Sequence, residues 1–268
     1  MAALLTWGLV HTFAHGDVHD RIVLFTRQIG QAPKDASLFF QRAELYRVDG
    51  DYKSAIADLD RAAQLEPGLP RVQFCRGRVL LESGQPEAAL EPLHRYLAGQ
   101  PKDAEAHTAR ARALVKIGRP RPATDDYTKA LGMSSGSPEL YIERAEAWRL
   151  AGQPEESIRG LDEGIRALGP LVTLELPAID LEVAMKRFDA ALARIDAVMA
   201  RLQRKETWLV RRAQILRQAG RGEEARQNYQ DALAALDRLP PAHRGTRATL
   251  ELETRIRAAL TTNAPVVK

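Results

Sequence analysis

Few residues in this 268-residue chain combine the type and the spacing that chemistry needs. His15, Asp17 and His19 stand together near the N-terminus. A chain cut after Ala14 would carry a free amine beside the His15 imidazole, a pair able to chelate copper, which makes His15 and His19 the metal candidates. Against that stands a plain polar lead into a helix, with Asp17 as its N-cap. The single thiol, Cys75, lies between Phe74 and Arg76 and can form neither an internal disulfide nor a Cys-based metal site. A packed, inert role suits it better than a reactive one. An arginine recurs as Arg42, Arg76, Arg110, Arg144 and Arg212, a ladder of cations that could line a groove for an acidic ligand. Sixteen residues after three of them come Asp58, Asp126 and Asn228, so the balance falls on arginines held by a carboxylate or amide of their own unit. No P-loop, HExxH, GxSxG or DFG element occurs, and the acids in Asp125-Asp126 and Glu155-Glu156 fall on different helix faces. No catalytic residue and no cofactor is expected, and the chain is not expected to be an enzyme.

The elements that must position these residues repeat. Glycines at Gly50, Gly84, Gly118, Gly152 and Gly220, with Lys186 in the one remaining slot, are 34 positions apart. A small residue follows five positions after each: Ala55, Ala89, Ala123, Ser157, Ala191 and Ala225. The most regular stretch, Ala36 to Leu69, has the pattern of two amphipathic helices joined at Asp49-Gly50-Asp51. Six units follow from this register, at 36–69, 70–103, 104–137, 138–171, 172–205 and 206–239. Before them, residues 15–35 form half a unit: Gly16-Asp17 open a helix carrying Ile22, Phe25 and Ile29, and Ala32-Pro33 close it. After them, Pro240-Pro241 break the pattern, and residues 240–268 supply a capping helix from about Arg247 to Leu260 and a tail. Leu250, Ile256 and Leu260 are expected to cover the last unit.

On these columns the sequence resembles the tetratricopeptide repeat family over about three quarters of its length. The family's small residue in the first helix stands as Ala43, Gly77, Ala111, Ala145 and Ala213, and the large apolar residue three further on as Tyr46, Leu80, Leu114, Trp148 and Leu216. The bulky column of the second helix is Leu59, Leu93, Tyr127, Leu161, Ile195 and Tyr229. The resemblance implies an all-α fold, a right-handed α-solenoid of six helix-turn-helix units with an N-terminal half unit and a C-terminal capping helix. Two departures are expected to bend it. Lys186 replaces the turn glycine of the fifth unit, where Glu182 falls on a core column unless the first helix slides by one residue, which restores Leu174, Ala178 and Leu181 to the apolar columns. An irregular turn is expected there, with Pro177 bending or shortening that helix. The other is the flexible connection from Met133 to Pro138.

In this family the first helices line a concave surface that binds protein segments. Transferred by position, the groove is made of Phe40, Arg47, Arg71, Phe74, Arg78, Arg112, Lys116 and Arg149, basic in the middle and acidic beyond, at Glu139, Glu143 and Glu146. An exposed Phe beside Arg suits a partner protein or peptide with an apolar anchor and acidic neighbours. The family's clamp for C-terminal carboxylates is not matched, because Phe40 and Glu44 occupy two of its positions.

Charge and length add bounds. The net charge of +4 arises from arginines spread among many acids with no long run of one sign, so no nucleic-acid partner is expected. The apolar run from Ala2 to Val10 is too short to span a bilayer. With Thr12-Phe13-Ala14 behind it, the run has the outline of a signal peptide over residues 1–14, although no Lys or Arg precedes it. The expected protein is thus a non-enzymatic scaffold, periplasmic or secreted, with a cytoplasmic assembly scaffold and a metal-handling accessory protein as the alternatives.

Overall fold

A computed structural model describes residues 3–134 and 137–262, with side chains from 17 to 134 and from 137 to 261. Every regular element among the described residues is helical. The chain divides into two compact units, Met1–Leu140 and Tyr141–Lys268.

The first unit holds α1 (Ala3–Gln31), α2 (Ala36–Asp49), α3 (Tyr52–Leu65), α4 (Pro70–Glu82), α5 (Pro86–Gly99), α6 (Ala104–Lys116) and α7 (Pro120–Met133). Each of these helices packs on the next, and α4 also touches α2 and α6. The chain belongs in local detail to its caps. Asp35, Asp51 and Asp103 each accept a hydrogen bond from a first-turn backbone N–H, while α4, α5 and α7 open on a proline whose missing donor costs nothing there. The core follows the repeat columns. Ala55, Leu59, Ala89, Leu93 and Ala123 are fully buried, and a Cβ added to Gly77 would come within 2.5 Å of the Leu93 side chain. That small-against-bulky pairing brings the two helices of a unit together and contributes about 2 kcal/mol per buried leucine.

The second unit begins inside α8 (Pro138–Leu150) and continues through α9 (Pro154–Leu168), α10 (Val172–Ala184), α11 (Phe188–Met199), α12 (Glu206–Gln218), α13 (Gly222–Asp237), the short α14 (Pro241–Arg244) and α15 (Arg247–Thr262). A continuous core runs from Ile179 through Ile195, Leu216 and Tyr229 to Ile256. Gly164 repeats the close approach of Gly77, here against the Tyr141 ring.

Four local expectations are corrected. The turn holding Lys186 is regular: Lys186 takes φ 59°, in the left-handed region where Gly50, Gly84, Gly118, Gly152 and Gly220 lie. Its N–H donates to the Val183 carbonyl and that of Arg187 to Glu182, as Gly84 and Gln85 donate to Leu81 and Leu80. The paired C-terminal hydrogen bonds hold the backbone in a conformation that a side chain disfavours by about 1 kcal/mol. The first helix of the fifth unit is neither shortened at Pro177 nor slid by one residue: α10 has the 13 residues of α4, α6 and α12 and starts 34 positions after α8, so Ala178 stands in the arginine column, Ile179 in the small-residue column and Glu182 in the core column, all buried. Asp17 caps nothing, because α1 passes through Gly16-Asp17 unbroken and upstream carbonyls serve the N–H groups there. On α15, Leu252 and Ile256 enter the core whereas Leu250 is 51% exposed, being two positions from Leu252 and therefore on another face of the helix. The connection expected to flex contains residues 135 and 136, which lie outside the described residues. Among the described residues no helix is long and apolar enough to cross a membrane.

Candidate partner-binding groove

The arginine column is structural, and its partners follow from repeat position. Arg42 grips Asp58 with two hydrogen bonds of 2.7 and 2.8 Å, and Arg110 grips Asp126 in the same way at 2.7 Å each. In the second repeat the acid's slot holds Pro92, so Arg76 turns to Asp60, sixteen residues before it, at 2.6 Å. In the fourth it holds Gly160, and the buried Arg144 reaches Glu163 at 2.5 Å instead. Arg212 lies between Asp196 at 2.8 Å and Asn228 at 3.3 Å. A guanidinium packed this way is committed to the fold.

Seven of the eight groove candidates belong to the first unit. Arg47 on α2 donates from Nη1 to both Glu82 carboxylate oxygens at 2.9 Å and lies 3.4 Å from Glu44. Glu82 is also 3.9 Å from Arg78, which pairs with Glu105 at 3.0 Å. A ribbon of alternating charge thus joins α2, α4 and α6. It corrects the expectation of a basic middle, because two of the expected ligand-binding arginines already face carboxylates of neighbouring repeats. Phe74 is not the exposed anchor expected either. It is half-buried, stacks on Tyr96 with ring centroids 5.1 Å apart, and lies under the Arg78 guanidinium. The Tyr96 hydroxyl donates to Asp103 at 2.7 Å; burial, together with that bond and the Asp103 charge, pushes its pKa up to about 12. Phe40 is half-buried against the core cluster of α2, α3 and α4. Arg71, Arg112 and Lys116 are exposed, the first at the start of α4 and the others along α6.

Arg149, the eighth, lies in the second unit and pairs with Glu146 of its own helix at 2.5 and 2.6 Å. It borders a pocket of about 270 Å³ floored by Ala145, Ser157 and Leu161. His19 is exposed on α1, the His15 side chain lies outside the described residues, and no three metal-binding side chains cluster among those described. Cys75 is buried; burial first, with the Glu44 charge second, pushes its thiol pKa far up, which leaves it inert.

Two constellations escaped the sequence columns. His107 is buried, with Nδ1 2.8 Å from an Asp126 oxygen and Nε2 3.1 Å from the Pro101 carbonyl. Burial opposes the Asp126 charge, yet the hydrogen bonds from Arg110 and His107 hold its carboxyl below the usual range. The signal was present: His107 precedes Arg110 by three, hence on the same helix face. The second is Arg194, which occupies the acid's slot of the fifth unit and faces Asp162, Glu175 and Glu182.

Residues 44–114 and residues 176–242 each match the tetratricopeptide repeat family, together just over half of the chain. The chain is a tetratricopeptide repeat protein. Among solved structures, a tetratricopeptide repeat protein from Parabacteroides merdae is similar at TM-score 0.56 and 18% identity, over 95% of each chain. MamA from Desulfovibrio magneticus is similar at TM-score 0.54 and 16% identity, over 59% of this chain and 89% of its own. At such identity the likeness is one of fold. No curated protein matches the sequence. An all-α array of these repeats is a protein-interaction scaffold.

Proposed function

We propose that this scaffold holds an acidic, partly apolar segment of a partner protein along the first helices of its N-terminal repeats. The observation that carries the reading is the contrast among the cations of α2, α4 and α6. Arg47 and Arg78 are tied to Glu82 and Glu105 and set the spacing of the helices, while Arg71 at the start of α4 and Lys116 at the end of α6 stay exposed. Exposed cations beside a rigid ribbon steer an acidic segment and fix its register. Photo-crosslinkers placed at Arg71 and Lys116 in the native host are expected to trap the same protein, through a segment rich in Asp or Glu. A crosslinker at Arg95, exposed on α5, is the control. Equal trapping from all three positions, or partners without an acidic segment, would refute this groove. We propose further that the scaffold acts after export, on the strength of the apolar run and Thr12-Phe13-Ala14. Intact mass of the protein from its host is expected to show His15 as the first residue.

A further inference from the structure

A charge triad that is complete in the first unit recurs in the second with one member missing. Glu44, Arg47 and Glu82 form a triad in which one guanidinium serves a carboxylate of its own helix and one of the next repeat, at 3.4 and 2.9 Å. Moved by three repeats, the same positions hold Glu146, Arg149 and Ala184. The first two members are kept and paired at 2.5 Å. The third is an exposed alanine, so the neighbouring helix α10 offers Arg149 no acid at that point. Where Glu82 closes the junction in the first unit, the second has the pocket of about 270 Å³, with Ile142, Ala145, Leu161, Pro177 and Leu181 as its apolar lining. The other acid at the rim, Asp180, is paired with Arg211.

We infer that this position takes a carboxylate from a partner protein: a Glu or Asp side chain that stands where Glu82 stands against Arg47, with a flanking leucine-sized residue in the apolar pocket. The pair Arg149–Glu146 does not block it. Both side chains are about half exposed, at 50% and 48%; such a pair holds its geometry weakly, and Arg47 shows one guanidinium serving two carboxylates in the same repeat position. The pocket volume suits one branched aliphatic side chain, and the Arg149 Nη1 group, left over by the Nε and Nη2 contacts with Glu146, corresponds to the Arg47 Nη1 that donates to both Glu82 oxygens. The inference deepens the scaffold reading but uses residues of the second unit alone, so the Arg71 and Lys116 experiment can fail without touching it.

The test is a titration of the full chain, labelled with 15N at arginine, with two acetylated and amidated hexapeptides, one containing Leu-Glu-Leu and the other Leu-Gln-Leu. The glutamate peptide is expected to shift the Arg149 side-chain resonance and to bind at least about fivefold more tightly than its glutamine counterpart. Ala184→Glu, which restores the third member within the chain, is expected to abolish that difference, while Ala184→Gln keeps it. Arg95→Glu, on α5 and outside both sites, leaves it unchanged. Equal binding of the two peptides, no binding of either at millimolar concentration, or a preference that survives Ala184→Glu would overturn the inference.

Discussion

Arg194 and Asp162, 32 residues apart, face each other across the slot that Ala178 leaves empty, with contacts of 2.8 and 3.1 Å. Asp162 stands sixteen residues before Ala178 and Arg194 sixteen after it, the two positions between which Arg212 lies in the next repeat. The fifth unit has therefore moved its arginine from the first helix to the second. Glu175 and Glu182, one on each side of the empty slot and both buried, complete the exchange. Burial works against the Arg194 charge, but the Asp162, Glu182 and Glu175 carboxylates outweigh it and favour the protonated form.

That arrangement makes Arg194 hard to replace. Arg194→Met leaves two buried carboxylates short of a counter-charge and is expected to cost about 3 kcal/mol in urea denaturation. Adding Glu182→Gln should recover part of the loss, because the unpaired buried charge rather than the missing contact carries most of it. A single-variant cost well below 1 kcal/mol would mean that Arg187 and Arg201, which also approach these acids, suffice alone.

Asp126 ties pH to stability in the first unit. Its carboxyl is held below the usual value, so the folded state binds its proton less readily than the unfolded one, where a value of about 3.9 applies. The stabilisation is present above about pH 4 and is lost as pH falls through the lower folded value. Asp126→Asn is expected to cost about 3 kcal/mol at pH 7, since Arg110 and His107 lose their shared acceptor. In parallel denaturation series the gap between variant and parent should narrow below about pH 4.

Lys186 offers a gain. Its φ of 59° is one that glycine adopts without strain, and every hydrogen bond of the turn involves backbone only. Lys186→Gly is expected to stabilise the protein by about 1 kcal/mol, read as a rise in the thermal midpoint. Lys186→Val should lower it by at least as much, because a β-branched side chain crowds the left-handed backbone further.

Two helical glycines should respond in opposite ways to one added methyl group. Gly77→Ala drives a Cβ into Leu93 and is expected to cost about 2 kcal/mol through overpacking. Gly132, inside α7, has nothing within 4 Å of an added Cβ. There the same change should stabilise by about 0.5–1 kcal/mol, from the higher helix propensity of alanine. Differential scanning calorimetry of both variants checks the pair.

The sequence by itself determined the repeat: its length, the all-α architecture, the buried columns through Leu59, Leu93 and Leu161, and the structural use of Arg42 and Arg110. Those features come from periodicity, which one helix pair stamps on every unit, so each column is read six times over. Tertiary structure alone decided what single positions do where the columns break. Arg47 and Arg78 look available in the sequence, yet Glu82 and Glu105 of neighbouring repeats hold them. Phe74 looks exposed, yet Tyr96 covers one face of its ring. Arg194 stands in an acid's slot because Ala178 vacated the arginine's. Whether a charge is available to a partner depends on which side chains a neighbouring helix brings within about 4 Å, and electrostatics in a packed array acts over that distance rather than along the chain. The local code therefore specifies the stack, and the contacts between repeats set which of its charges face outward.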